Sequence, residues 1–374
     1  MIFAGYEFRN EKPFNNVYFT GIVRDNQGRK MSKQLGNSPD ALKLIQDYSA
    51  DAVRAGMMLL SSGAGNDLLF DETKLQQGKA FINKITNAYR LVSGWEISEA
   101  INQPASSKIA IEWYQSKFQC AYAEMEDHFS KYRLSDSLMT LYKLIWDDFC
   151  SWLLEMVKPG YQQPIDRATY DAIILAFENN LKVLHPFMPF ITEEIWHQIA
   201  PRTPEEALII SRYPSKDPVN KTVLNDFEIA SEVISGIRTI RKEKNISFKE
   251  PIKLFVINNI GASPSLDAVI KKMGNVEHLE YISEKMGGAL TYRVKSNEYF
   301  IPMEGSVNVE NEIEKLSNEL TYTKGFLKSI QAKLTNERFV KNAPEKVVAS
   351  EKQKEADALA KITTLKNSLS SLTK

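Results

Sequence analysis

The stretch that most constrains the fold is an apolar stripe: Leu138, Leu141, Tyr142, Ile145, Phe149, Trp152, Leu153 and Met156. These residues recur at i, i+3, i+4 and i+7, the spacing of one helical face, until Pro159-Gly160 stops the run. A face that wide is stable only when covered by other elements. The same chemistry predicts helices around Thr73–Val92, Ile111–Phe129, Arg167–Leu184 (with Asp166 as N-cap) and near Phe190–Ile199. Long amphipathic helices with short polar connections between Asp71 and Tyr213 predict a bundle, and that pattern alone says nothing about function.

Chemistry concentrates upstream, in Gly28-Arg29-Lys30-Met31-Ser32-Lys33-Gln34-Leu35-Gly36-Asn37. Three cations sit among small residues, after the strand-like run Val17–Val23 and before Ser38-Pro39-Asp40, which reads as a helix start with Ser38 as cap. Strand, basic loop and helix N-terminus form a device for holding a polyphosphate, and glycines at 28 and 36 let the loop change shape. A basic surface loop without function has the same composition.

Composition closes off other classes. The 374 residues carry 47 basic and 47 acidic side chains, so any nucleic-acid contact comes from local patches. Cys120 and Cys150 lie too far apart for a paired-cysteine metal site and read as core thiols in a reducing cytoplasm. No run of about 18 apolar residues appears, which excludes a membrane-crossing helix, and the N-terminal residues lack the pattern of a signal peptide.

The run GRKMSKQLGNSPD resembles the KMSKS signature loop of class I aminoacyl-tRNA synthetases, with Gln34 in place of the usual final serine. PFNNVYFTGIVRD (Pro13 to Asp25) and Asp51-Ala52-Val53-Arg54 also sit where that family carries similar residues. Asp51 and Arg54 lie three apart on a predicted helix and are expected to pair as a structural salt bridge. The phrases FINKITNAYR (81–90), LYKLIWDDFCSWLLEMVK (141–158) and HPFMPFITEEIW (185–196) resemble the anticodon-binding domain of the valyl, isoleucyl and leucyl enzymes. Trp146, Trp152 and Trp196 read as core residues, and His185 as a helix-end residue.

Beyond the bundle, a helix near Asn225 puts Phe227, Ala230, Ile234, Ile237 and Ile240 on one face, with Arg238, Arg241 and Lys242 expected off it, followed by Lys244. That basic cluster is either a solvated surface or a phosphate-contacting one. Strands are predicted at Ile252–Ile257, His278–Ile282, Ala289–Val294 and Glu298–Met303, with a helix at Ser265–Met273 and a turn at Gly287-Gly288. Finally, Ile313, Leu320, Leu327 and Leu334 repeat every seven residues, and a second such pattern runs through Ala358, Leu365 and Leu372. Folded back around Pro344, the two halves predict an antiparallel hairpin. KLTNERFVKNAPEKVV (333–348) resembles the C-terminal coiled-coil arm of valyl-tRNA synthetases.

The expectation is a mainly α chain: the C-terminal remnant of a Rossmann-type class I catalytic domain (1–70), a helical anticodon-binding domain (71–215), a helix plus small α/β connector (216–303) and a coiled-coil tRNA-binding arm (304–374). The resemblance implies ATP as substrate with Mg2+ in the full enzyme, valine and tRNA(Val) as partners, no protein-bound metal in this stretch, and a monomer. It makes Lys33 the main phosphate ligand, supported by Lys30, with Met31 and Ser32 shaping the loop. Arg238, Arg241, Lys242, Lys333 and Lys341 are the tRNA-contact candidates. None of the four histidines sits in a HIGH-type motif, so the stretch is expected to make no adenylate alone. An isoleucyl-type fragment or a stand-alone tRNA-binding module are the alternatives, and the valyl reading is favoured by the coiled-coil ending.

Overall fold

A computed structural model describes residues 1–61, 63, 65–259, 264–302 and 309–335, and beyond these 351, 354, 355, 358, 359 and 362. The chain forms two compact units, residues 1–227 and 228–374.

The first unit opens with α1 (Ile2–Arg9), then β1 (Val23–Arg24), α2 (Ala41–Tyr48), α3 (Ala50–Leu60) and β2 (Leu68–Leu69). The expected strand over 17–23 shrinks to Val23–Arg24, which pairs in parallel with Leu68–Leu69; Phe19 and Ile22 are exposed. Residues 41–60 form two helices and not one, because Ser49 adopts a left-handed φ of 86° and caps α3 through Ala52 N–H. The cap of α2 is Asp40, not Ser38: its carboxylate accepts from Leu42 N–H at 2.9 Å.

The bundle follows as α4 (Glu72–Ser93), α5 (Ala105–Ser130), α6 (Leu134–Lys143), α7 (Leu154–Val157), α8 (Arg167–Leu184) and α9 (Pro189–Ile199), with short strands β3 (Ile97–Ser98) and β4 (Ile165–Asp166) paired beside it. Asp166 caps α8 through Thr169 N–H at 2.8 Å. The apolar stripe is helical throughout, but Leu144–Leu153 winds as a π-helix between α6 and α7. Wide winding carries Ile145, Phe149 and Leu153 into the core, where Phe81, Trp113, Tyr114 and Phe177 also lie. Trp196 is buried; Trp146 and Trp152 are packed but partly exposed, one stacked on Tyr142 and the other edge-on to Phe227.

α10 (Lys221–Glu243) begins in the first unit and continues into the second. There the sheet has the order β6-β5-β8-β7, from β5 (Ile252–Ile257), β6 (Val276–Tyr281), β7 (Ala289–Val294) and β8 (Asn297–Pro302). β5 and β6 run parallel, so α11 (Asp267–Gly274) is the crossover their connection requires. At Gly236 of α10 a Cβ would run into the Tyr292 ring, which is why the helix lies so close to β7.

α12 (Val309–Leu334) buries Thr323 and Ile330 and half-buries Leu320 and Leu327, the expected seven-residue seam. Gln331 donates to Glu355 at 3.0 Å and Lys333 pairs with Glu351 at 3.7 Å. The rising number thus meets the falling one, an antiparallel arrangement. Met303, the reversal at Pro344, Lys341 and the positions Leu365 and Leu372 lie outside the described residues, as do Ser62 and Ala64.

Candidate functional site

The basic loop is a built object. After β1 the chain reverses over Asp25–Arg29, with Gly28 N–H donating to Asp25 O and Asp25 N–H to Arg29 O, both at 2.9 Å. Gly28 takes φ 77°, a left-handed value that a side chain would strain. The reversal lays Lys30 antiparallel beside Arg24, and Met31 N–H donates to Val23 O.

Two side chains staple the turn. The buried Asp25 carboxylate accepts from Gln27 N–H, from Arg29 N–H and Nε, and from Asn37 Nδ2. The Asn37 amide foremost, and then the Arg29 contacts, hold its carboxyl well below the usual range, against the opposing effect of burial. Asn37 also accepts Ser32 N–H at 2.9 Å and donates to Lys30 O. Ser32 Oγ in turn accepts Leu35 N–H.

On this frame Lys30 and Lys33 are exposed, as is Gln34. Among the described residues no ion pair engages either lysine. Met31 and Ser32 are half-buried, and Met31 lines a hollow of about 680 Å³ with Asp25, Asn37, Pro39 and Asp71. Chemically, the frame offers two ammonium groups held out on a turn whose backbone is fixed by Asp25 and Asn37. Sequence reasoning passed over both staples, although an Asp three residues before a glycine is a turn signal.

Asp51 and Arg54 do not pair in the expected way. Asp51 is buried and accepts from Phe190 N–H at 3.3 Å and Ile191 N–H at 2.6 Å, capping α9, whose own N-cap residue Met188 provides no side-chain bond. Arg54 donates from Nε to Phe187 O at 3.2 Å and from Nη2 to Pro186 O at 3.0 Å. One acid sits on a helix N-terminus and one base on the carbonyls after α8, each where the peptide dipoles favour it. Burial pushes the Asp51 carboxyl up, and the two backbone N–H groups oppose that shift. His185 ends α8 and its Nδ1 lies 2.8 Å from Thr192 Oγ1.

The candidate RNA contacts separate. Arg238 and Lys242 are exposed on α10. Arg241 is a correction: it is only 4% exposed and donates to Ser247 O, Gly274 O and Asn275 O. It follows Ile237 by four and Ile234 by seven, so helical spacing puts it on the apolar face, where it ties the helix end to α11. Lys333 keeps an exposed side chain beside Glu351, and Lys341 lies outside the described residues. Cys120 is another correction, being exposed; Cys150 is buried, which pushes its thiol up to about 12. Among the described residues no helix is long and apolar enough to cross a membrane, and no cluster of potential metal ligands occurs.

Comparison with known proteins gives three family matches along the chain. Residues 1–71 match the family described as class I tRNA synthetases (I, L, M and V), residues 112–256 the anticodon-binding domain of tRNA ligase, and residues 308–373 the valyl tRNA synthetase tRNA binding arm. The whole chain is 63% identical to 42% of the length of a valine–tRNA ligase of Christiangramia forsetii, and 50% identical to the same share of one from Parabacteroides distasonis. It is 35% identical to 44% of the length of the Enterococcus faecalis enzyme. The chain thus spans less than half the length of these relatives, and over all of its residues it is similar to the C-terminal part of valine–tRNA ligases, with a class I synthetase match, an anticodon-binding match and a tRNA-binding-arm match in that order.

Proposed function

We propose that, within an intact ligase, this chain supplies the phosphate loop and the tRNA grip for joining valine to tRNA(Val), with ATP giving AMP and pyrophosphate. The observation that carries the reading is the pair of exposed lysines, Lys30 and Lys33, on a turn whose backbone is stapled by Asp25 and Asn37. When the valine carboxylate attacks the α-phosphate, the α–β phosphoanhydride bond breaks and negative charge grows on the departing pyrophosphate. An ammonium placed there stabilises that charge more in the transition state than in the ground state. Lysine suits the role as a compact charge on a long stem, and glycines at 28 and 36 allow the turn to follow the phosphates. Mg2+ would arrive on the triphosphate, since the loop itself presents no set of metal-binding side chains.

The bundle and arm would position the RNA. Arg238, Lys242, Lys333 and Lys341 are the proposed backbone contacts, a sequence-tolerant mode suited to cations on rigid helices. The protein would work in the cytoplasm as a monomer. Filter binding of this chain to tRNA(Val) and to a tRNA of another specificity tests the grip. Preferential, salt-sensitive retention of tRNA(Val) is expected; equal retention of both would count against the reading.

A further inference from the structure

On the first unit, where α8 ends, lies a hollow of about 390 Å³ whose lining includes Arg54, Lys182, His185, Ile209, Ser211 and Tyr213. No carboxylate lines it, although acids and bases are equal in number along the chain. Arg54 reaches the hollow with Nε and Nη2 committed to carbonyls, which fixes its guanidinium plane. Lys182, also in the lining, holds its Nζ 5.6 Å from the centre of the Trp196 ring. Ile209 and Tyr213 are 74% and 53% exposed, an open apolar and aromatic edge.

The tautomer of His185 follows from its neighbours. Thr192 spends its hydroxyl proton on Met188 O at 2.8 Å, so its oxygen accepts from His185 Nδ1–H. In the neutral ring, which burial favours, Nε2 is then a hydrogen-bond acceptor. Two cations, an acceptor and an aromatic face match the phosphate, the 2′-hydroxyl and the base of one ribonucleotide.

We propose that this hollow is a subsite for the RNA backbone, in which Arg54 and Lys182 hold a phosphate while His185 Nε2 accepts from the adjoining ribose 2′-hydroxyl. The inference rests on the tRNA-binding reading and adds a place and a chemistry to it. The site distinguishes ribose from deoxyribose through an acceptor, which a purely electrostatic patch does not do.

The test uses the full chain and a tRNA(Val) transcript. K182E should weaken binding about tenfold near 100 mM salt and reduce the slope of log Kd against log salt by about one, the loss of one phosphate contact. K108E, at an exposed α5 lysine outside the hollow, should leave the slope within error. Should K182E prove unfolded by circular dichroism, 2′-deoxy interference mapping gives the answer on folded protein: one position should weaken the wild type severalfold and have no effect on His185→Ala. Equal slopes for wild type and K182E, or interference patterns unchanged by His185→Ala, overturn the subsite. No salt-dependent binding by the wild type would instead sink the tRNA-binding reading itself.

Discussion

The sharpest structural prediction concerns Asp51. Replacing it by alanine removes both oxygens that cap α9, at 3.3 Å from Phe190 N and 2.6 Å from Ile191 N, while Met188 offers no substitute. Loss of a helix cap costs about 1 kcal/mol, and the two part-buried N–H groups left without this acceptor add about 1 kcal/mol. Removing a carboxylate that burial disfavours gives part of this back, so the net loss is about 1.5 kcal/mol. For a unit of this size that lowers Tm by roughly 5 °C. Asn at the same position keeps one acceptor and should lose about half as much. Unfolding followed by tryptophan fluorescence is a suitable assay, because Trp196 lies in α9 itself. If Asp51→Ala stayed within 0.5 kcal/mol of wild type, the capping argument would be wrong.

Three further outcomes follow from the same structure. Burial raises the Asp148 carboxyl from its ordinary value near 3.8 to about 6, against the attraction of Lys117. The folded state therefore keeps a proton that the unfolded state has already lost, and the stabilisation present below pH 3.8 is lost as pH rises through about 6. Asp148→Asn should flatten that segment of the urea-midpoint profile, by on the order of 2 kcal/mol between the two limits. Cys120 should react with a thiol reagent in the native protein, whereas Cys150, buried and with its thiol pushed up to about 12, should react only on unfolding; equal rates would contradict the burial assignment. Arg241→Ala should destabilise the second unit by roughly 2 kcal/mol, since three carbonyls lose their donor, whereas Lys242→Ala, at an exposed position, should leave its melting unchanged.

The parts of the fold that were legible in the sequence are those governed by local rules. Asp166 and the α8 boundaries follow from capping and period, and β5 and β7 fall where alternation places them. The errors arise where a distant partner decides. Val17–Val23 has strand composition, yet β2 offers a pairing edge only to Val23 and Arg24. Asp51 and Arg54 satisfy the spacing of a local ion pair, but helix termini more than a hundred residues away are better partners than each other. Arg241 was readable: counted strictly from Ile234 and Ile237, it belongs to the buried face. The π-helix was not readable, since its residues keep an ordinary helical stripe. At the loop the lysines were plain, and the staples that hold them were not, because Asp25 and Asn37 meet only after the chain turns back.

The central claim, that ammonium groups on the stapled turn act on ATP while the helices hold RNA, is tested most directly by rapid-quench measurement of adenylate formation in an intact ligase carrying Lys33→Ala. The account predicts a fall of about 100-fold or more in the rate of valyl-adenylate formation, with the Kd for tRNA(Val) unchanged. A wild-type rate, or a loss of tRNA affinity in place of the rate, would contradict it.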